Sequence, residues 1–281
     1  MKFSKYHALG NDYIVIQPED FITVINVDVI RLICHRHYGI GSDGLLLGPF
    51  DSNICDYGLR IFNPDGSEAE KSGNGLRIFA RYIVDKALGN QVGFTVETPG
   101  GKVYCEVSDD GLSVKVEMGM VSFNSEDIPV AGPSRDVLNE ALSIDGHMLQ
   151  YCAATVGNPH CVVFSEAPSP EQTRHFGPII EVDSRFPQRT NVQFMKVVDR
   201  NSIQIEIWER GAGYTLASGS SSTAAAAVAY RLGLCDSEIT VHMPGGKIDI
   251  TFGDGFAATM TGPVIKVCDG LISDELFMQS L

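Results

Sequence analysis

Three unlike segments of this chain occur twice, in the same order and at nearly the same separation. Leu9-Gly10-Asn11 running into Tyr13-Ile14-Val15-Ile16 returns 147 residues later as Val156-Gly157-Asn158 running into Cys161-Val162-Val163-Phe164. Ser72-Gly73, opening a stretch that reaches Tyr82, returns 146 residues later as Ser218-Gly219, opening a stretch that reaches Tyr230. Thr98-Pro99-Gly100-Gly101-Lys102-Val103 returns 145 residues later as Met243-Pro244-Gly245-Gly246-Lys247-Ile248. A repeat of that length in 281 residues leaves room for two copies of one folding unit and little else. The expected organisation is an N-terminal lobe over residues 1–118, a connection over 119–150 and a second lobe over 151–263. Residues 264–281 are expected to return and complete the first lobe, with a pseudo-twofold axis relating the two.

Within each copy the segments read as turn into strand, glycine loop into helix, and turn into alternating strand. The first helix is expected from about Gly73 to Leu88, stopped by Gly89, and the second from about Gly219 to Leu232, stopped by Gly233. The second contains Ala224-Ala225-Ala226-Ala227-Val228-Ala229 and almost no charge. A helix that is apolar all round lies inside its lobe. Short alternating segments such as Val92–Glu97, Lys102–Val107, Ser113–Glu117 and Ile203–Trp208 supply the wrapping. The expected class is therefore α/β (α+β), each lobe a curled mixed sheet around one buried central helix. With 44% hydrophobic and 20% charged residues, the chain has the composition to bury two such cores.

Composition also narrows the partners. A net charge of -14 repels nucleic acid and anionic membrane surfaces, so small molecules become the expected ligands. The seven cysteines are odd in number, widely spaced and mostly set in apolar runs, which reads as reduced, buried thiols. None has zinc-site spacing, and His35-Arg36-His37 has no companion ligands, so no metal is expected. The first residues lack the apolar core of a signal peptide, and no run has the roughly 18 apolar residues of a membrane helix. A cytoplasmic protein is the expectation.

A buried helix emerging from a glycine loop presents unpaired N–H groups and about half a positive charge at its start. Such a start attracts a carboxylate or phosphate. This chain has two, and with the lobes facing each other both would converge on one cleft, Ser72 and Ser218 occupying equivalent places. Each serine is equally well explained as an ordinary helix cap. Asn63 stands nine residues before Ser72, and Glu209 nine before Ser218, so they too are repeat equivalents. Arg210 adds a fork for a second carboxylate, expected as a buried charge, while Asn11, Asn158 and Asn191 add amide donors and acceptors. No lysine follows the glycines, as a phosphate-binding loop would require. The inventory suits a small zwitterion with at least one amino group and two carboxylates.

These residues, read together, resemble the diaminopimelate epimerase family. The match rests on Gly10-Asn11-Asp12, Asn63-Pro64-Asp65-Gly66-Ser67-Glu68, Ser72-Gly73-Asn74-Gly75-Leu76-Arg77, Gly157-Asn158-Pro159-His160, Thr190-Asn191-Val192 and Glu209-Arg210-Gly211-Ala212-Gly213. It spans nearly the whole chain in the right order. The resemblance implies an isomerase without a cofactor, commonly a homodimer, serving lysine and peptidoglycan precursor synthesis. It also implies that Asn63, Asn158, Asn191 and Arg210 grip the distal end of diaminopimelate while Glu209 contacts the reacting amino group. The backbone at Gly73, Asn74, Gly219 and Ser220 would hold the reacting carboxylate, with His160 and Asn11 lining the same pocket.

The departure from the family sits where the proton is moved. The family has cysteines at the positions of Ser72 and Ser218, one removing the α-proton and the other returning one to the opposite face. A thiol ionises near 8.5 and an alcohol closer to water's ~15.7, a gap of roughly seven units or ~10 kcal/mol. Further departures at Pro64, Tyr214 and Ser220 to Thr223 point to natural divergence rather than deliberate replacement. Three readings stay open. The serines, with Glu209 or His160 as proton acceptor, run the epimerisation of diaminopimelate or a similar amino acid. Alternatively, the scaffold hosts another isomerase, racemase or dehydratase, or it binds an amino acid without catalysis.

Overall fold

The computed structural model describes residues 1–21, 24–89 and 92–278. The chain divides into two units, one of residues 1–116 with 262–281 and one of residues 117–261. Residues 279–281, included in the expected first-lobe completion, lie outside the described residues.

Hydrophobic alternation and turn glycines cut the chain into short strands. The first unit runs β1 (Lys2–Ala8), β2 (Asn11–Ile16), α1 (Val27–Cys34), β3 (Leu45–Phe50), β4 (Tyr57–Phe62), β5 (Glu68–Ala69), α2 (Gly73–Asp85), β6 (Gly93–Thr98), β7 (Gly101–Val107) and the beginning of β8 (Ser113–Met120). The second runs β9 (Glu140–Ile144), β10 (His147–Thr155), β11 (Pro159–Phe164), α3 (Pro170–Glu181), β12 (Asn191–Asp199), β13 (Ser202–Glu209), β14 (Gly213–Thr215), α4 (Gly219–Arg231), β15 (Glu238–Met243), β16 (Gly246–Phe252) and β17 (Ala257–Pro263). The last strand, β18 (Ile265–Leu271), pairs with β1 in the first unit.

The repeat seen in the sequence is reproduced strand for strand inside each unit. In the first, β1 lies antiparallel between β18 and β2, β3 runs parallel to β2, and β4 runs antiparallel to β3. Strand β6 is parallel to β4, β7 and β8 follow antiparallel, and the short β5 hangs on β4. In the second, β9, β10, β11, β12, β13, β15, β16 and β17 take the same order and directions, with β14 on β13. The architecture is mixed α/β, built of mixed sheets with few helices.

Each unit encloses one helix. Most of α2 is buried, including Leu76, Ile78, Phe79, Ala80 and Ile83, and it packs on β1, β2, β3 and β7. In α4 every residue from Ser221 to Ala229 is fully buried. Its alanines let β10, β11, β12, β13, β15 and β16 approach closely on all sides. Strands between the central helix and an outer helix are apolar on both faces. Thus Leu45 and Leu47 join α1 through Ile30 and Ile33, whereas Leu46 points at α2, within reach of Gly75.

The two helices end differently from each other. Helix α4 closes on Gly233 at φ 71, with Gly233 N–H donating to Tyr230 O and Leu234 N–H to Ala229 O, as its glycine stop suggested. Helix α2 stops at Asp85, short of the expected Leu88. The same paired bonds form one residue after Lys86, from Ala87 to Val84 O and from Leu88 to Ile83 O, and place an alanine at φ 49. Residues 119–150, read as a connection, fold with the second unit: they supply β9 and bury Ile128, Val130, Val137 and Leu142 in its core. Five of the seven cysteines are buried, all are free thiols, and Cys268 is exposed. Among the described residues no helix is long and apolar enough to cross a membrane.

Candidate active site

Some of the expected site residues gather at the start of the central helix in each unit, Ser72, Asn74 and Asn11 at α2 and Ser218, Ser220, Asn158 and His160 at α4, while Asn63, Asn191, Glu209 and Arg210 bond elsewhere. In the first, Ser72 caps α2: its backbone is extended at φ -140, and its Oγ accepts from Gly75 N–H at 3.1 Å. The first N–H groups of a helix have no acceptor within it, and in α2 these begin at Gly73. The Ser72 hydroxyl also meets the Tyr13 hydroxyl at 3.2 Å. Asn74, buried, donates from Nδ2 to Asn11 Oδ1 at 3.0 Å and accepts from Arg77 at 2.6 Å. Asn11 in turn donates to Asp43 Oδ2 at 3.1 Å. Asn63 sits apart from this group in the turn between β4 and β5, half-buried, donating to Ser67 Oγ at 2.9 Å.

Two charges support the first group. Arg77 is fully buried one turn into α2, and desolvation lowers it to about 10, which leaves it a cation at neutral pH. Asp12 bonds Arg36 at 2.7 Å and Lys5 at 2.8 Å, while Arg36 also holds Asp43 at 2.6 Å. Burial opposes ionisation of Asp12, yet the bonds from Arg36, Lys5 and Asp43 prevail and hold its carboxyl down at about 2. The network anchors the hairpin that carries Asn11.

In the second unit Ser218, 3% exposed, caps α4 by accepting from Ser221 N–H at 3.4 Å, and its hydroxyl lies 3.5 Å from that of Ser220. Asn158 donates to Ser220 Oγ at 3.5 Å, and its Oδ1 lies 3.0 Å from His160 Nε2. Gly219 is buried at the first position of α4. Asn191 donates to Pro159 O at 2.9 Å and accepts from Arg210 N–H at 2.9 Å. Glu209, half-buried at the end of β13, accepts from Thr215 Oγ1 at 3.3 Å.

Two expectations need correction. His160 is expected among the proton acceptors, but it is fully buried, with Nε2 on Asn158 and Nδ1 on Gln193. Desolvation, aided by the charge of Arg210, lowers it to about 3, so it stays neutral and holds neighbours in place. Arg210 is expected as a buried charge. It is exposed instead, in the turn between β13 and β14, donating from Nη1 to Gln188 O at 3.0 Å. A turn between two strand ends keeps a guanidinium in water, which is where an unpaired charge is least costly.

The sequence reading missed Tyr13, Asp43, Arg77, Gln193 and Ser221. For Tyr13 a signal was available: side chains two apart on a strand share a face, so Tyr13 lies on the same side of β2 as Asn11. Gly44 makes room for it, because a Cβ there would come within 2.4 Å of the Tyr13 ring.

A family model described as Diaminopimelate epimerase matches residues 3–124 and 152–267. The chain is 58% identical over 277 residues to "Diaminopimelate epimerase 2" of Nostoc sp. strain PCC 7120, covering 99% of this chain and 97% of that one. It is 39% identical over 274 residues to "Diaminopimelate epimerase" of Stutzerimonas stutzeri strain A1501, covering 97% and 99%. Among solved structures, a hydroxyproline epimerase from Agrobacterium vitis superposes with a TM-score of 0.68 at 16% identity, covering 96% and 90%, which is a likeness of fold.

Proposed function

The chain belongs to the diaminopimelate epimerase family, and on that premise we propose that it is a cofactor-independent isomerase whose ligand is diaminopimelate. The reaction would invert the α-carbon of the LL form to give the meso form, for lysine and peptidoglycan precursors. The observation that carries this reading is the ligand-recognition set itself. Asn11, Asn63, Asn158, Asn191, Glu209 and Arg210 are present with both glycine-opened helix starts, and all but Asn63 and Glu209 are held in place by one another or by Asn74 and Ser220. A homodimer in the cytoplasm is part of the same reading.

Removing the α-proton as H⁺ leaves its electron pair on carbon, and the charge spreads onto the carboxylate oxygens. N–H groups at a helix start favour that charge more as it grows, so they stabilise the transition state more than the ground state. Ser72 and Ser218 would be the groups on either face of one α-carbon. Their hydroxyls bond backbone N–H groups, the Tyr13 phenol and the Ser220 hydroxyl, none of which is a strong base. Two helix starts at ~1 to 2 kcal/mol each leave most of the ~10 kcal/mol alcohol penalty in place. That favours, as a second reading, a protein that binds diaminopimelate and turns it over slowly or not at all.

Proton NMR in heavy water with LL-diaminopimelate tests both. Loss of the α-proton signal with formation of the meso isomer supports the epimerase. Saturable binding without exchange selects the second reading, and no binding removes both.

A further inference from the structure

One pair of equivalent positions is treated in opposite ways by the two units. In the first, Leu46 of β3 packs against Gly75 of α2, a simple apolar contact. The parallel registers, Ile14 beside Leu45 and His160 beside Asn191, put Gln193 of β12 in the place of Leu46, while the helix repeat puts Ser221 in the place of Gly75. Gln193 is fully buried, and its Nε2 donates to Ser221 Oγ at 3.0 Å and to His160 Nδ1 at 3.1 Å. A buried amide where a leucine suffices is costly unless its bonds specify something.

What it specifies is the proton on His160. With Nδ1 accepting, a neutral imidazole carries its hydrogen on Nε2, which points at Asn158 Oδ1. Reversing the Gln193 amide would be worse, because Oε1 has no partner among the described residues and two N–H groups would then occupy its place. The chain of donors therefore runs one way: Gln193 to His160, His160 to Asn158, Asn158 Nδ2 to Ser220 at the first turn of α4. In the first unit the polarity is reversed. Asp43 can only accept, so it takes the Asn11 NH₂, and Asn11 turns its carbonyl toward Asn74 at the start of α2.

We propose that Gln193 is a positioning residue that, by holding His160 as the Nε2–H tautomer, turns the NH₂ of Asn158 toward the α4 start, where it receives a ligand carboxylate. This rests on the diaminopimelate reading for the ligand and on the geometry alone for the tautomer.

The test uses ¹⁵N-labelled full-length protein without ligand, reading the His160 ring by long-range ¹H–¹⁵N correlation, followed by calorimetry with meso-diaminopimelate. The groups facing the ring are Asn158 and Gln193, with Arg210 the charge acting on it. The wild type should show a neutral Nε2–H ring at pH 7. Gln193→Leu should admit the Nδ1–H form and weaken binding about tenfold, since an amide facing the wrong way offers a carbonyl to a carboxylate. Gln193→Glu should keep the affinity, since the carboxylate holds an imidazolium and the protonated acid donates to Nδ1 as the amide does, and the ring donates from Nε2 in both cases. An Nδ1–H ring in the wild type overturns the proposal, as does a Gln193→Leu protein with ring and affinity unchanged. If the leucine variant does not fold, Gln193→Met, close in length and unable to donate, is read in the same way, and an unchanged ring and affinity there overturn the proposal equally. Failure of the wild type to bind diaminopimelate would remove the functional reading, while the ring tautomer still judges Gln193.

Discussion

The starts of α2 and α4 are copies of one backbone device carrying different side-chain chemistry. Both are glycine-opened, serine-capped and surrounded by strands in the same order. Beneath the first lie the buried cation Arg77 and a network of Asp12, Asp43 and Arg36, and its tyrosine touches the capping serine. Beneath the second, the repeat equivalents are the hydroxyl of Thr223, which bonds Gly219 O at 2.8 Å, and the neutral His160, which touches the asparagine instead. Duplication preserved what hydrogen-bonds the backbone and left the electrostatics of each half free to diverge.

The largest expected effect asks how far the comparison extends to the capping serines themselves. Changing both Ser72 and Ser218 to Cys should raise α-proton exchange of diaminopimelate by several orders of magnitude, because the acidity gap of ~10 kcal/mol is what limits the hydroxyls. Heavy-water NMR reads it, and a folded, ligand-binding double variant that exchanges nothing would locate the deficit in Tyr214 of β14 and in Ser220 to Thr223 at the start of α4.

Acid should separate the halves by several kcal/mol. His160 is near 3 when folded against an ordinary 6.5, so its neutral form is favoured by folding; that stability is complete above 6.5 and falls by about 3 kcal/mol by pH 4. Asp12, near 2 against 3.8, favours its charged form, so its contribution holds above 3.8 and is lost as pH falls toward 2, about 2 kcal/mol in all. Hydrogen exchange resolved by peptide should show β11 and β12 loosening at pH 5 to 4, before β1 and β2 do. Simultaneous loosening would contradict this order.

A smaller effect compares fields. In the two single-Cys variants, the thiol at 72 should titrate about one unit below that at 218, because buried Arg77 lies one turn away and Thr223 is neutral. The pH dependence of alkylation, followed by peptide mass spectrometry to set aside Cys55 and Cys268, measures it. Equal values would show that Arg77 is screened.

The smallest concerns the helix ends. Ala87→Gly should stabilise the first unit by about 0.5–1 kcal/mol by relieving a left-handed alanine, whereas Gly233→Ala should destabilise the second by a similar amount. Thermal melts of both variants provide the check.

Legibility in the sequence follows the physics of each feature. Helix α4 is readable because an uninterrupted alanine run has one environment that suits it. Helix α1 escapes notice: eight residues give barely two turns of periodicity, although Asn26, whose Oδ1 caps Val29 N–H, is a usable start signal. Helix α3 escapes too, despite Ser169-Pro170, a cap followed by proline at the first position. Asn11, Asn74, Asn158 and Ser220 follow from motifs. Arg77 stands within one of those motifs without a role assigned to it, since nothing local distinguishes a buried arginine from a solvated one.

The sequence by itself determined the duplication, the types of the repeated strands and central helices, and the polar groups at each helix start, because these depend on periodicity, capping and repeat spacing. Only the tertiary structure decided that Arg77 is buried while Arg210 is exposed, and that His160 lies buried between Asn158 and Gln193. It also showed the carboxamides of Asn11 and Asn158 presenting opposite ends to their helices. Several of the contacts behind those properties join groups far apart in the chain, Gln193 with Ser221 across 28 residues and Asn11 with Asn74 across 63, and a side chain's protonation depends on the partners that burial brings beside it.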